Sequence, residues 1–350
     1  MDKLIVFTDI HYGLKRNSID HNKDCDEFID WVIETAKAEG ISQCAFLGDW
    51  HHNRHTINVE TLQYSYQGMK KLNDFFETVY FIVGNHDLYY RETRDVHSVS
   101  IGSGLDKFVV VDKRLDIYNM TFLPWLVDDE WKDVRNINSK YIFGHFELPT
   151  FYLNSMIKMP KHDGMAEAKD FNSNAMVFSG HFHKRQNQAN VWYIGNAFPH
   201  TFDDVDEEEH RGCMILDLDV GDIEFKHWPN SPRYKKFTYD ELKGNEDGLL
   251  DGMCKIHAKV SYNSGKVSPV QINLYREFLK ENYDFRTVDI IDNAETMITE
   301  SEDSDESDTE DSEESVEIVG DIDSIAIKQL QKIESEEYDK SLLINLYREL

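Results

Sequence analysis

The chain has 350 residues, 40% of them hydrophobic, with 66 acidic against 37 basic side chains and a formal net charge of −29. That length and apolar content support one large domain with a smaller one or with extensions. No stretch reaches the roughly 20 apolar residues of a membrane span, and the N-terminus, MDKLIVFTDIHYG, has neither a basic leader nor a small-residue cleavage site, so a cytosolic protein with no membrane partner is expected. The four cysteines, Cys25, Cys44, Cys213 and Cys254, are scattered without a C-x-x-C pair and read as reduced core thiols. The acidic balance argues against a nucleic-acid partner held by Lys and Arg. However, the stretch from Asp292 to Glu317 carries 13 acidic and no basic residues, and bound cations at carboxylates would invert the local field.

In chain order, short β-branched or aromatic runs alternate with loops bearing His, Asp, Asn or Gly. LIVF (4–7) leads into Thr8, Asp9, Ile10 and His11. A helix over about 24–39 follows, with Phe28, Trp31, Val32 and Ala36 on one face and Gly40 as its stop. CAFLGD (44–49) is a second strand and loop, a helix covers 58–76, and VYFIVGNHD (79–87) repeats the design. MTFLPW (120–125), YIFGH (141–145), MVFSGH (176–181) and VWYIG (191–195) come next, then a hairpin of CMILDLD (213–219) and IEFKHW (223–228) turned at Gly221. Buried strands ending in polar loops predict an α/β fold with its site along a sheet edge, and the short turns between the last strands favour two mixed sheets flanked by helices. After Pro232 the texture changes to strand (255–262), helix (270–281) and strand (285–292), a small α+β module. The predicted division is therefore 1–232, 233–292, an acidic low-complexity linker over 293–320 and a helical segment over 321–350. That last segment has an apolar stripe including Ile325, Leu330, Ile333, Leu342, Leu343, Leu346 and Leu350.

Five polar clusters stand at strand ends: Asp9 with His11, Asp49 with His52, Asn85 with His86 and Asp87, His145, and His181 with His183. Each alone is more often a satisfied hydrogen-bonding group. In an extended segment, however, residues i and i+2 point the same way, so Asp9 with His11 and His181 with His183 each offer two donors to one point. Carboxylate, imidazole and amide oxygen suit manganese, iron, zinc or magnesium rather than a thiolate metal. Asp49 is the candidate bridge, one oxygen to each of two ions about 3.5–4 Å apart.

The ordered series Asp9-Ile10-His11, Gly48-Asp49, Gly84-Asn85-His86-Asp87, Gly144-His145 and Gly180-His181-Phe182-His183 resembles the calcineurin-like metallophosphoesterases over about the first 200 residues. The resemblance implies a four-layer sandwich and two divalent ions, with manganese expected and magnesium an alternative. It makes Asp9, His11, Asp49 and His183 ligands of one ion, and Asp49, Asn85, His145 and His181 ligands of the other. His86 would stabilise the transition state and protonate the leaving oxygen, with Asp87 orienting its ring.

His52, third after Asp49, is similar to the extra histidine of the SbcD-type repair nucleases, as is Tyr193-Ile194-Gly195-Asn196 continuing to Phe202 and Asp203, although Asn196 stands where many relatives have Ser. That branch implies a DNA nuclease, exonuclease on double-stranded ends and endonuclease on single strands, in recombination and double-strand-break repair, in the cytoplasm of a bacterial or phage-infected cell. It also implies a homodimer, a capping domain and an SbcC-type coiled-coil ABC ATPase docked through residues 322–350. A phosphodiesterase for small nucleotides and a non-catalytic scaffold are the rival readings. His51 and His55 match no ligand position and read as surface or supporting residues. His200 and His257 have no recognisable context, and Trp31, Trp125 and Trp192 read as core rather than base-stacking platforms. Lys184-Arg185 is either a phosphate contact or exposed charge.

Overall fold

A computed structural model describes residues 3–153, 157–162, 164–205 and 207–293. Most of the acidic linker and all of the 321–350 segment lie outside the described residues. The first sheet begins with β1 (Lys3–Phe7), β2 (Gln43–Phe46), β3 (Thr78–Ile82) and β4 (Phe108–Val111). The second is built from β5 (Leu115–Ile117), β6 (Met120–Phe122), β7 (Tyr141–His145), β8 (Met176–Gly180), β9 (Gln186–Gln188) and β10 (Val191–Tyr193). The chain then returns to the first sheet through the hairpin β11 (Cys213–Asp217) and β12 (Ile223–Lys226). The strand orders are β12-β11-β1-β2-β3-β4 and β5-β6-β7-β8-β10-β9. Strands β1 to β4 pair in parallel, as do β6, β7 and β8, while β11 runs antiparallel to β1. Two large mixed sheets flanked by helices are what the strand pattern predicts.

Alternation of side chains divides the core into layers. Leu4, Val6, Ala45, Leu47 and Ile82 from one sheet meet Phe122, Tyr141, Phe143 and Phe178 from the other. The opposite face of the first sheet, with Ile5, Phe7, Cys44, Phe46 and Phe81, is covered by α1 (Ile19–Glu39) and α2 (Val59–Phe75). The outer face of the second sheet is covered by 3-10 turns at Glu130–Asn136 and Ala168–Asp170 and by loops. Helix α1 starts at Ile19, a turn and more earlier than its apolar stripe suggests. Ser18 caps it, and its first turns bury the polar side chains His21, Asn22 and Asp24. Gly40, in the left-handed conformation at φ 67°, ends it as expected.

Residues 233–292 form a third, all-parallel sheet of β13 (Arg233–Thr238), β14 (Ile256–Tyr262) and β15 (Phe285–Asp292), with α3 (Pro269–Asn282) packed on it. Its core is its own, built on Phe237, Ile256, Ala258, Val260, Ile272, Leu279 and Val288. It is tied to α1 by Asp24, a nearly inaccessible carboxylate that pairs with Arg286 (Oδ1 to Nη2 2.9 Å) and with Lys255 (2.7 Å). Among the described residues no helix is long and apolar enough to cross a membrane.

Candidate metal centre

The polar loops at the C-terminal ends of β1, β2, β3, β7 and β8 converge where the two sheets meet. The first sheet supplies Asp9, His11, Asp49 and Asn85, and the second supplies His145, His181 and His183. Asp9, His11 and His183 form one group of donors within 4.8 Å of one another, and Asp49, His145 and His181 form another. In the first, His11 Nε2 lies 3.2 Å from His183 Nε2 and 3.8 Å from Asp9 Oδ1, which is 3.7 Å from His183 Nε2. In the second, Asn85 Oδ1 lies 2.9 Å from His145 Nε2 and 3.0 Å from His181 Nδ1.

Asp49 faces both groups, but not with one oxygen each. Its Oδ1 accepts the backbone N–H of His86 at 2.9 Å, so the oxygen turned to both groups is Oδ2, 3.7 Å from His11 Nε2 and 3.3 Å from His145 Nε2.

These loops hold their donors at a cost in backbone strain. Asp9, His11, Asp49 and His181 all have positive φ, at 50°, 52°, 61° and 87°, a region that costs a non-glycine residue on the order of 1–3 kcal/mol. Close approach makes glycine necessary beside them. A Cβ on Gly84 would stand 2.2 Å from Asp49 Oδ1, and one on Gly180 would stand 2.2 Å from Thr8 Oγ1 and 2.8 Å from Asp9 Oδ2.

The donor chemistry fits a cation. His145 Nδ1 lies 2.7 Å from the carbonyl of Leu47 and can only donate to it, which turns the lone pair of Nε2 toward Asn85 Oδ1 and Asp49 Oδ2. While Nε2 is unprotonated these three atoms are all acceptors, and they are satisfied only by a positive charge among them, a metal ion or the proton that makes His145 an imidazolium. Consistently, although burial alone would lower the pKa of His145, the Asp49 carboxylate beside it raises it to about 9. Burial pushes Asp9 up to about 7, reinforced by Asp49, while His145 and His86 hold Asp49 below the usual carboxylate range against its own burial. Burial and the neighbouring imidazoles hold His11 well below its ordinary value, and burial lowers His183 to about 4, so both rings are neutral donors near pH 7.

Three sequence expectations are revised or narrowed here. Asp87 does not hold the His86 ring: its carboxylate accepts the backbone N–H groups of Asp49 (3.0 Å), Trp50 (3.0 Å), His51 (3.1 Å) and Gly84 (2.9 Å), and the ring is held by the carbonyl of His52, 2.8 Å from Nδ1. His51 is buried between Ser65 Oγ (2.6 Å) and Ser98 Oγ (2.8 Å), which leaves the supporting role of the two expected for it and removes the surface one. Arg185 turns inward to donate to Ile194 O and stack on Phe225, so it is neither exposed charge nor turned to a phosphate, while Lys184 pairs with Glu207.

His52 stands beside the first group, its Nδ1 3.4 Å from His11 Nδ1 and its ring stacked on His86 at 5.3 Å. The sequence reading missed His200, which is buried among the rings of His11, His21 and His183 with both nitrogens unpartnered. It also missed Glu147, 3.6 Å from His181 Nε2 and 3.5 Å from His162 Nε2. Nothing around His200 in the sequence signals its place, whereas Glu147, two positions after His145, carries the same i, i+2 signal as the donor pairs. Trp31 and Trp192 pack against the cores as expected; Trp125 does so only in part, its ring centroid 5.0 Å from that of His181.

The sequence profile of the calcineurin-like phosphoesterases matches residues 3–185, more than half of the chain. The chain belongs to that family. It is a metal-dependent phosphoesterase: the family fold implies divalent ions, and these His and Asp side chains are grouped closely enough to hold them. The exonuclease subunit 1 of Enterobacteria phage T4 is 27% identical over 304 residues, covering 83% of this chain and 85% of that protein. Among solved structures, the Yfce phosphoesterase from E. coli is similar at 15% identity over 62% of this chain and 89% of that one, with a TM-score of 0.33. The nuclease MPE from Pseudomonas putida is similar at 17% identity over 54% of this chain and 66% of that one, with a TM-score of 0.30.

Proposed function

We propose that this phosphoesterase is a two-metal DNA nuclease, the nuclease subunit of an SbcC/SbcD-like recombination complex. The observation that carries the reading is Asp49 Oδ2 standing between two complete donor groups with His86 directly beside it. It is supported by the likeness to a phage exonuclease subunit along most of both chains.

In this reading Asp9, His11, Asp49 and His183 hold one ion, and Asp49, Asn85, His145 and His181 the other, manganese in preference to magnesium. When bound, the pair supplies Lewis-acid stabilisation of the phosphodiester. The chain's own part is positional. Asp87 fixes the loop 49–51 against Gly84, which sets Asp49 and the His86 N–H. In the neutral His86 ring the proton sits on Nδ1, toward His52 O, so Nε2 carries the lone pair. Burial lowers this imidazole to about 4. To protonate a leaving oxygen it must first be charged, and the approach of the anionic substrate supplies the field that favours this. His52, stacked on His86, supports that ring.

By the same reading residues 1–232 are the nuclease domain and 233–292 a cap. Residues 293–320 are an acidic tether and 321–350 the segment that docks on a coiled-coil ATPase, in a homodimeric complex. Cleavage of end-labelled double- and single-stranded DNA with manganese, magnesium or EDTA, by wild type and His86→Ala, tests the proposal. Metal-dependent cleavage falling at least about 100-fold in the variant is expected. Hydrolysis of small diesters with no DNA cleavage would move the chain to the small-nucleotide phosphodiesterases.

A further inference from the structure

Beside the second donor group a cavity of about 260 Å³ opens, with the His145 ring as a wall common to both. Its lining is mixed: Trp125, Trp131, Leu148 and Met165 are apolar, Glu92, Asp128 and Glu147 bring carboxylates and Arg91 a guanidinium, while Lys132 and Arg135 lie over the Trp131 ring at 5.4 and 6.0 Å from its centroid. The Trp125 ring centroid lies 5.0 Å from that of His181 and 6.0 Å from that of His145, so this wall is continuous with the donor group. The size is below the roughly 300–1,000 Å³ of pockets that take drug-sized ligands. It admits one planar heterocycle and excludes a base pair. Two indoles with three carboxylates against one arginine are a poor lining for a phosphate and a good one for a π-face, which every nucleobase has. Glu147, held toward His181 and His162, adds an acceptor that favours a ring bearing an exocyclic amino group.

We propose that this cavity receives the unpaired base of the nucleotide adjoining the scissile phosphate, with Trp125 and Trp131 as its stacking walls. The inference rests on the nuclease reading and gives it a substrate class: a strand whose terminal or flanking base is out of its duplex. A paired base reaches the cavity only by leaving the stack, which costs least at ends, mismatches and single strands.

The test uses the full-length protein with manganese and two monophosphates that differ only in the base, dAMP and deoxyribose 5-phosphate, with affinities read by calorimetry. Wild type binds dAMP at least about tenfold more tightly. In Trp131→Ala that ratio falls toward one, and in Trp131→Phe, which keeps an aromatic face, most of it remains. Equal affinity of wild type for the two ligands overturns the proposal, as does a ratio unchanged in a Trp131→Ala variant of normal circular dichroism. If Trp131→Ala does not fold, the wild-type ratio and Trp131→Phe decide. Cleavage of a single strand with and without one abasic residue separates the two readings. A dAMP preference without cleavage of any DNA supports the cavity and removes the nuclease reading. DNA cleavage with equal ligand affinities keeps the nuclease reading and removes the cavity.

Discussion

At the scale of single residues, the centre is assembled by backbone groups as much as by side chains. Asp87 touches no candidate ligand side chain, yet its four N–H bonds fix the loop that carries Asp49. Asp87→Asn is isosteric but turns an amide NH2 toward backbone donors. It should lower stability by about 3 kcal/mol in chemical denaturation and weaken manganese binding in calorimetry; wild-type values for both would show that the loop holds itself. The seven candidate donors were legible in the sequence because they stand at the ends of apolar strands, a local signal. The extended i, i+2 geometry expected for them does not form, since Asp9, His11 and His181 are left-handed and His181 and His183 enter different groups. His200 was not, because its place depends on where a loop after β10 folds back over α1. Nor was the role of Asp87, because which backbone amides a carboxylate meets is set by a contact across 36 to 38 positions of chain.

Among the elements, the strands with continuous apolar runs were readable and the thin ones were not. Strand β13, RYKKFT, has three cationic residues in six and buries only Tyr234 and Phe237, so nothing in its composition separates it from a loop. It becomes a strand because β14 offers it a parallel edge. The clamp between α1 and this module was equally hidden, since Asp24 and Arg286 are 262 positions apart. Burial would raise the pKa of Asp24, but Arg286 and Lys255 outweigh it and lower it. A carboxyl depressed in the folded state contributes stability that is fully present above its unfolded pKa of about 3.9 and is lost as pH falls through the lower folded value. Asp24→Asn should therefore cost about 3 kcal/mol at neutral pH, by leaving two cations without their partner. Its deficit against wild type should shrink steadily in acid; a deficit independent of pH would assign the loss to packing instead.

For the whole molecule, the acidic composition and the proposed polyanionic substrate are reconciled only through bound cations. Manganese at 100 times its dissociation constant should raise stability by about 2.7 kcal/mol, seen as a higher melting temperature that EDTA reverses. No shift in melting would mean that these donors do not hold the ion. If the proposed docking holds, deleting residues 322–350 should abolish co-purification with a coiled-coil ATPase while leaving metal-dependent hydrolysis intact; loss of hydrolysis would make that segment part of the hydrolytic unit itself. Each donor group draws from both sheets, Asp9 and His11 joining His183 in one, and Asp49 and Asn85 joining His145 and His181 in the other. During synthesis, then, the second group is incomplete until the ribosome has passed His181 and the first until it has passed His183, and both wait for the second sheet to dock on the first. A nascent chain short of that point lacks a complete pair of donor groups, so a truncated product ending before it should show no metal-dependent phosphoester hydrolysis.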